Sequence, residues 1–156
     1  MSWFTGGSGQ SGARPQRNSV AAKVGLLVER LKSSNSLEEV LESIDQLSDL
    51  SSSNVAEVGD GALNILIEQL NGIVVDAEGE VAGQILQGIL DIINSVCTVS
   101  GTANTENALK YTDVFLGNLD NISTVLSLLQ RPEMWVKLNG IELLNTLHKN
   151  RQESLE

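Results

Sequence analysis

The sequence predicts an all-α fold in which helices stack in pairs as an α-solenoid of about seven helices. Apolar residues make up 41% of the 156 residues and aromatic residues only 3%, so Leu, Ile and Val must build the core. Aliphatic cores of this kind are usual where helices pack in thin layers. The two prolines, Pro15 and Pro132, leave long stretches free of helix breakers. Apolar residues recur at helical spacing along most of the chain.

The first 18 residues are expected to form a flexible tail, and residues 19–156 one helical domain. Residues 5–18 are rich in Gly, Ser, Gln and Arg, and they carry too little apolar area to offset the entropy of ordering. Apolar residues then recur at helical spacing from Val20 to Leu31, which predicts a first helix that ends near residues 33–35.

The second and third helices are indicated by signals at their ends. Ser36 and Glu39 have the spacing of a capping box, in which each side chain satisfies a free backbone N–H at the start of a helix. An apolar stripe follows as far as Leu50, and serines at positions 51–53 end it. A third helix is predicted over residues 55–70, with the pair Asn71-Gly72 as a left-handed C-terminal cap.

A fourth helix is predicted over residues 80–96, and it is apolar over more than half of its circumference. We therefore expect other helices to cover it on two sides. Gly83 and Gly88 each cost a helix about 1 kcal/mol, which predicts that a neighbouring helix approaches closely at these positions. Residues 98–106 lack apolar periodicity and are expected to form a loop.

The remaining helices are predicted over residues 106–116, 119–130 and 134–149, with Pro132 separating the last two. In the last helix, we expect Leu143, Leu144 and Leu147 to pack on the preceding layer. Trp135 and Leu138 lie on its other flank and are expected to be uncovered.

A faint internal repeat supports the solenoid. Residues 90–94 (LDIIN) resemble residues 141–145 (IELLN), about fifty positions later. Each stretch lies on a long predicted helix that follows a shorter one. This layout is typical of helical repeat proteins, in which each repeat buries the apolar face of its neighbour.

The charge of the chain argues against several function classes. Ten Lys and Arg residues against 20 Asp and Glu residues give a net charge of −10. A nucleic-acid partner would be repelled, and so would an anionic lipid surface. No apolar run approaches the ~20 residues of a membrane-spanning helix, so direct membrane insertion is not expected. A single cysteine favours a reducing compartment such as the cytoplasm.

The sequence offers no catalytic, cofactor-binding or metal-binding constellation, and we predict that the chain is not an enzyme. His148, the single histidine, is expected to interact with the carbonyl end of the last helix. Cys97 is expected to be a small buried hydrophobe. The carboxylates at positions 38–45 and 76–80 are expected to lie in solvent, and neither group has the spacing of a calcium loop.

Two segments resemble a known family. Residues 120–129 (DNISTVLSLL) contain Asn121 in a run rich in hydroxyl and Leu residues, and residues 136–147 begin with Val136-Lys137 and contain Leu143-Leu144. Together they resemble the head domain of the general vesicular transport factor family, which comprises Golgi vesicle-tethering proteins. The resemblance covers residues 20–156 and is specific over 120–147.

The sequence departs from the family pattern in two places. Lys137 stands where the pattern has arginine, and residues 98–118 match poorly. Asn121, Val136, Lys137, Leu143 and Leu144 are expected to be mostly structural, and the face that binds a partner is left open.

The resemblance implies an armadillo-like head domain, of which this chain would hold only the first repeats. It implies a protein-binding scaffold that docks transport vesicles to the Golgi before fusion, in ER-to-Golgi and intra-Golgi transport. The implied partners are an early-secretory Rab-type GTPase, coat components and tethering components, with a homodimer in the full-length protein. The implied location is cytoplasmic and peripheral to the Golgi membrane. An unrelated helical-repeat adaptor that binds other cytosolic proteins is the alternative.

Overall fold

A computed structural model describes residues 15–73, 79–100 and 104–155, and every regular element in these ranges is a helix. The prediction of an all-α fold with about seven helices is confirmed. The seven helices of the described ranges are α1 (Pro15–Ser33), α2 (Leu37–Ser51), α3 (Val55–Ile73), α4 (Glu80–Cys97), α5 (Thr105–Leu116), α6 (Leu119–Leu128) and α7 (Met134–Leu155).

The helices stack in two rows, as expected for an armadillo-like α-solenoid. Helices α2, α4 and α7 form an inner row, in which α4 contacts both of its neighbours. Helices α1 and α3, followed by α5 and α6, form the outer row. The core lies between the rows, and its centre is a group of fully buried aliphatic side chains on α4: Ile85, Leu86, Ile89, Leu90, Ile92 and Ile93. Because α4 also contacts α3 and α5, the prediction that it is covered on two sides is confirmed.

The starts of the helices follow their local sequence with two differences. Helix α1 begins at Pro15, five residues before the predicted Val20, and proline is favoured in a first turn because its missing N–H is not needed there. Residues 1–14 of the predicted tail lie outside the described residues. The Ser36 hydroxyl accepts a hydrogen bond from the Glu39 N–H at 3.4 Å, as predicted, and donates its own proton to Glu38. The return bond from the Ser36 N–H to the Glu39 carboxylate is not among the hydrogen bonds of the described ranges, so only half of the capping box forms.

Three predicted helix ends are wrong. Helix α3 continues through Asn71 and Gly72 to Ile73. The predicted left-handed cap does not form there, because Gly79 is the one residue with a positive φ in the described ranges. Helix α7 runs to Leu155 rather than to residue 149, so His148 is not in the last turn and the proposed contact with the helix end does not exist. Helix α6 ends at Leu128, two residues earlier than predicted.

The two glycines of α4 have different neighbours. A Cβ atom at Gly88 would lie 2.6 Å from the Cγ2 methyl of Ile44, so α2 approaches α4 closely there, as predicted. A Cβ atom at Gly83 would lie 2.8 Å from Oε2 of Glu133, which precedes α7. At Gly83 the close neighbour is therefore the side chain of a connecting segment, which corrects the prediction of a helix.

Polar contacts join the layer of α3 and α4 to the layer of α5, α6 and α7. Asn71 Nδ2 donates to Asn121 Oδ1 at 2.9 Å, and these residues are 50 positions apart. Asn139 donates to the carbonyl oxygen of a residue on α4 that lies 52 positions earlier in the chain. Asn150 donates to another α4 carbonyl oxygen, 53 positions earlier. The hydroxyl of Tyr111 donates to an acceptor on α3, 51 positions away. These separations match the spacing of the faint sequence repeat, so the repeat corresponds to one structural layer.

Candidate protein-binding groove

The residues that carried the family resemblance do not form a site. Asn121, Val136 and Leu143 are buried, with at most 2% of their surface exposed. Leu144 packs against the core and is half-buried, and Lys137 is half-buried as well. Asn121, Val136 and Leu143 therefore lie inside the solenoid.

The chemically reactive side chains are dispersed. His148 is exposed on α7, whereas Cys97 is fully buried at the end of α4, where burial raises the pKa of its thiol to about 12. The carboxylates at positions 38, 39, 42 and 45 are exposed, as predicted, and Glu80 is exposed too. Residues 76 and 78 of the second predicted acidic group lie outside the described residues. Across the described ranges, no group of three His, Cys, Asp or Glu side chains could hold a metal ion.

A groove of about 540 Å³ runs across the inner row of helices. We call it the inner groove. It is lined by one face of each inner helix, because positions three or four residues apart lie on the same side of a helix. The lining residues are Leu41, Asp45 and Ser48 from α2, Gln84, Gln87, Gly88 and Asp91 from α4, and Trp135 and Asn139 from α7.

Carboxylates and one aromatic ring dominate the chemistry of the inner groove. Asp45 and Asp91 are exposed, the lining contains no Lys or Arg, and neither carboxylate forms an ion pair within the described ranges. Trp135 is 62% exposed, which is unusual for the largest aromatic side chain. Asn139, one turn further along α7, donates from Nδ2 to the carbonyl oxygen of Gln87 at 3.1 Å, which ties two walls of the groove together.

A second groove, of about 270 Å³, lies between α1 and α2 at the other end of the stack. Its lining has the opposite character. Lys23 and Arg30 contribute positive charge, Asp49 is its single carboxylate, and Leu26 is 67% exposed. The negative charge of the chain is therefore distributed unevenly, and the inner groove is one of the places where it collects.

The last helix presents an apolar flank to solvent. Met134, Trp135, Leu138 and Ile141 are between 43% and 63% exposed, whereas Leu143 and Leu147 on the other side are buried. The prediction of an uncovered flank around Trp135 and Leu138 is confirmed. No helix in the described ranges is long and apolar enough to cross a bilayer.

Sequence reasoning did not identify the inner groove. Its residues come from three helices that are far apart in the chain, and most of them occupy ordinary polar positions of amphipathic helices. The available signal was the order of the helices: once α2, α4 and α7 are known to be neighbours, the polar positions of these three helices define one surface.

Comparison with known proteins gives a distant similarity to one family. No family model matches the chain. The general vesicular transport factors p115 of Bos taurus and Homo sapiens are each 27% identical to it over 154 residues. The match covers 96% of this chain but only 16% of each relative. The similarity is distant, and the chain spans about one sixth of the length of these relatives.

Proposed function

We propose that this chain is a protein-binding scaffold of a vesicle tether, which docks transport vesicles to the Golgi before fusion in ER-to-Golgi and intra-Golgi transport. The observation that carries the proposal is the similarity to p115, which extends over 96% of the chain. The solenoid supports it, because stacked helices present extended surfaces to protein partners.

The proposal includes the partners and the location that the resemblance implies. The partners are an early-secretory Rab-type GTPase and the coat and tethering components, and the chain acts in the cytoplasm, peripherally on Golgi membrane. The chain spans 16% of the length of the relatives, so the longer helical array and the homodimer of the full-length protein also belong to the proposal.

An unrelated helical-repeat adaptor is the second candidate. The lack of a matching family model and the 27% identity favour it, because a helical repeat scaffold retains its fold while its exposed residues change. Such an adaptor would bind other cytosolic proteins and would have no reason to collect at the Golgi.

Localisation in cells separates the two candidates. The 156-residue chain, fused to a proximity-labelling enzyme, should concentrate beside an early Golgi marker and label Rab-type GTPases, coat subunits and tethers. Depletion of the protein that carries this chain should delay the arrival of a secretory cargo at the Golgi. A diffuse distribution together with normal cargo arrival would refute the tether proposal and leave the adaptor.

A further inference from the structure

We infer that the inner groove binds an extended, basic segment of a partner protein, in which Lys or Arg side chains meet Asp45, Asp91 and Trp135. This inference rests on the proposed function, since it takes the chain to be a protein-binding scaffold. It adds the chemistry of the partner and the surface that recognises it.

The shape of the inner groove suits an extended chain. Packed helix axes are about 8–10 Å apart, so three neighbouring helices span roughly 16–20 Å. An extended peptide rises about 3.3 Å per residue, and five or six residues would cross the row. The lining residues come from all three helices, so a bound segment would contact each layer in turn.

The charge of the inner groove indicates a basic occupant. Asp45 and Asp91 lack a basic partner within the described ranges, and the lining supplies no cation. Glu38 and Glu42 are exposed on α2 one or two turns from Asp45 and extend the negative surface. Acidic clefts with low-dielectric walls attract cations more strongly than isolated surface carboxylates do. The groove between α1 and α2 carries Lys23 and Arg30, so a basic segment should be attracted less strongly there than to the inner groove.

Trp135 supplies a second, independent reason for a cationic side chain. Its ring is 62% exposed in the inner groove, and the face of an indole is the best aromatic partner for Lys or Arg. Tryptophan is also among the residues that contribute most to protein interfaces. The hydrogen bond from Asn139 to α4 fixes the next turn of the same helix, so the wall that carries Trp135 is already in place before binding.

The test uses a ten-residue peptide of alternating Lys or Arg and Gly or Ser, with a charge-reversed Glu copy as the control. The chain has two tryptophans, so a Trp3→Phe background makes Trp135 the single indole reporter. The basic peptide should change Trp135 fluorescence and saturate, and the Glu copy should not. Binding should weaken as salt rises to 0.5 M, because exposed charges are screened.

Two groups of variants locate the binding site. Asp45→Asn with Asp91→Asn should raise Kd about tenfold, since each exposed ion pair contributes up to about fivefold. Trp135→Ala, measured by calorimetry, should raise Kd about threefold to fivefold. The control, Glu68→Gln with Asp113→Asn, removes the same charge from exposed positions outside the groove and should change Kd less than twofold. Circular dichroism confirms that every variant is folded.

Three results would overturn the inference. Equal losses in the groove variants and the control would mean that general negative charge attracts the peptide. Failure of the basic peptide to bind in a saturable way would remove the proposed occupant, whatever the localisation experiment shows for the tether function. Sedimentation could also show a dimer that the Trp135→Ala substitution dissociates but the basic peptide does not. A second copy of the chain would then be the occupant of the inner groove.

Discussion

Replacement of Asn121 by alanine removes the side chain that joins α3, α5 and α6. Asn121 is 2% exposed, its Nδ2 donates to the carbonyl oxygen of Phe115 at 2.9 Å, and its Oδ1 accepts from Asn71 Nδ2 at 2.9 Å. The Phe115 carbonyl lies in the last turn of α5, where no intrahelical donor is available. The substitution therefore leaves the buried Phe115 carbonyl without this partner and removes one bond to the half-buried Asn71 amide, which still donates to the Ile67 carbonyl.

The expected loss of stability follows from these two bonds. The part-buried bond from Asn71 contributes about 1 kcal/mol, and the buried Phe115 carbonyl that is left without this partner costs about 1–3 kcal/mol. We expect Asn121→Ala to lower the free energy of unfolding by about 2–4 kcal/mol. For a chain of this length that corresponds to a fall in melting temperature of roughly 5–15 °C. Asn121→Asp should be at least as unstable at neutral pH, because a carboxylate cannot donate to the Phe115 carbonyl.

Urea unfolding followed by circular dichroism at 222 nm measures this loss. Asn145→Ala is the matched control, because Asn145 is exposed on α7 and its replacement should change stability by less than about 0.5 kcal/mol. The Asn121→Asp variant should regain part of its stability as the pH falls and the carboxyl group becomes able to donate. If Asn121→Ala unfolds at the same urea concentration as the control, the structural role of this amide is refuted.

Three further predictions concern packing and pH. Gly88→Ala should lower the free energy of unfolding by about 1–3 kcal/mol, because its Cβ would lie 2.6 Å from a methyl group of α2. A Cβ atom at Gly25 would have no neighbour within 4 Å, so Gly25→Ala should raise the free energy of unfolding by about 0.5–1 kcal/mol. Urea unfolding measures both variants. Leu143 is buried, and Leu143→Ala should lower the free energy of unfolding by about 2–5 kcal/mol. Leu138 is 43% exposed, and Leu138→Ala should lower it by less than half as much in the same assay. Burial is the main cause that raises the pKa of Tyr111, and its hydrogen bond to the Asp60 carboxylate is the second. The stabilisation from this shift is therefore present below pH 10 and should be lost as the pH rises above 10. Thermal melts from pH 8 to 11 should show a shallower decline in Tyr111→Phe, and equal slopes would contradict this cause.

The sequence predicts the helices because the periodicity of apolar residues is local. The burial of α4 and the exposed flank of α7 also follow from it, since α4 is apolar over more than half of its circumference and α7 carries apolar residues on both flanks. The cap at Ser36 forms through residues three positions apart, so it too can be inferred locally.

The differences arise where distant residues intervene. Asn71-Gly72 has the local pattern of a helix end, but the Asn71 side chain contacts Asn121 and Thr124 on α6, about fifty positions away, and the helix continues. Asn150 lies beyond the predicted end of α7, yet it is buried and donates to the carbonyl oxygen of Cys97 at 2.6 Å. The inner groove depends on the same kind of information, because three segments that are separate in the chain form it.

The amide contacts between layers have a consequence for the shape of the whole array. Aliphatic faces of stacked helices could slide by one turn, about 5.4 Å, with little change in buried area. A directional bond such as Asn139 to Gln87, or Asn150 to Cys97, permits a single setting of one layer over the next. These asparagines therefore fix the register of α7 on α4. We expect a substitution at Asn150, which does not line the inner groove, to let α7 shift along α4 and so alter the fit of a partner without touching it.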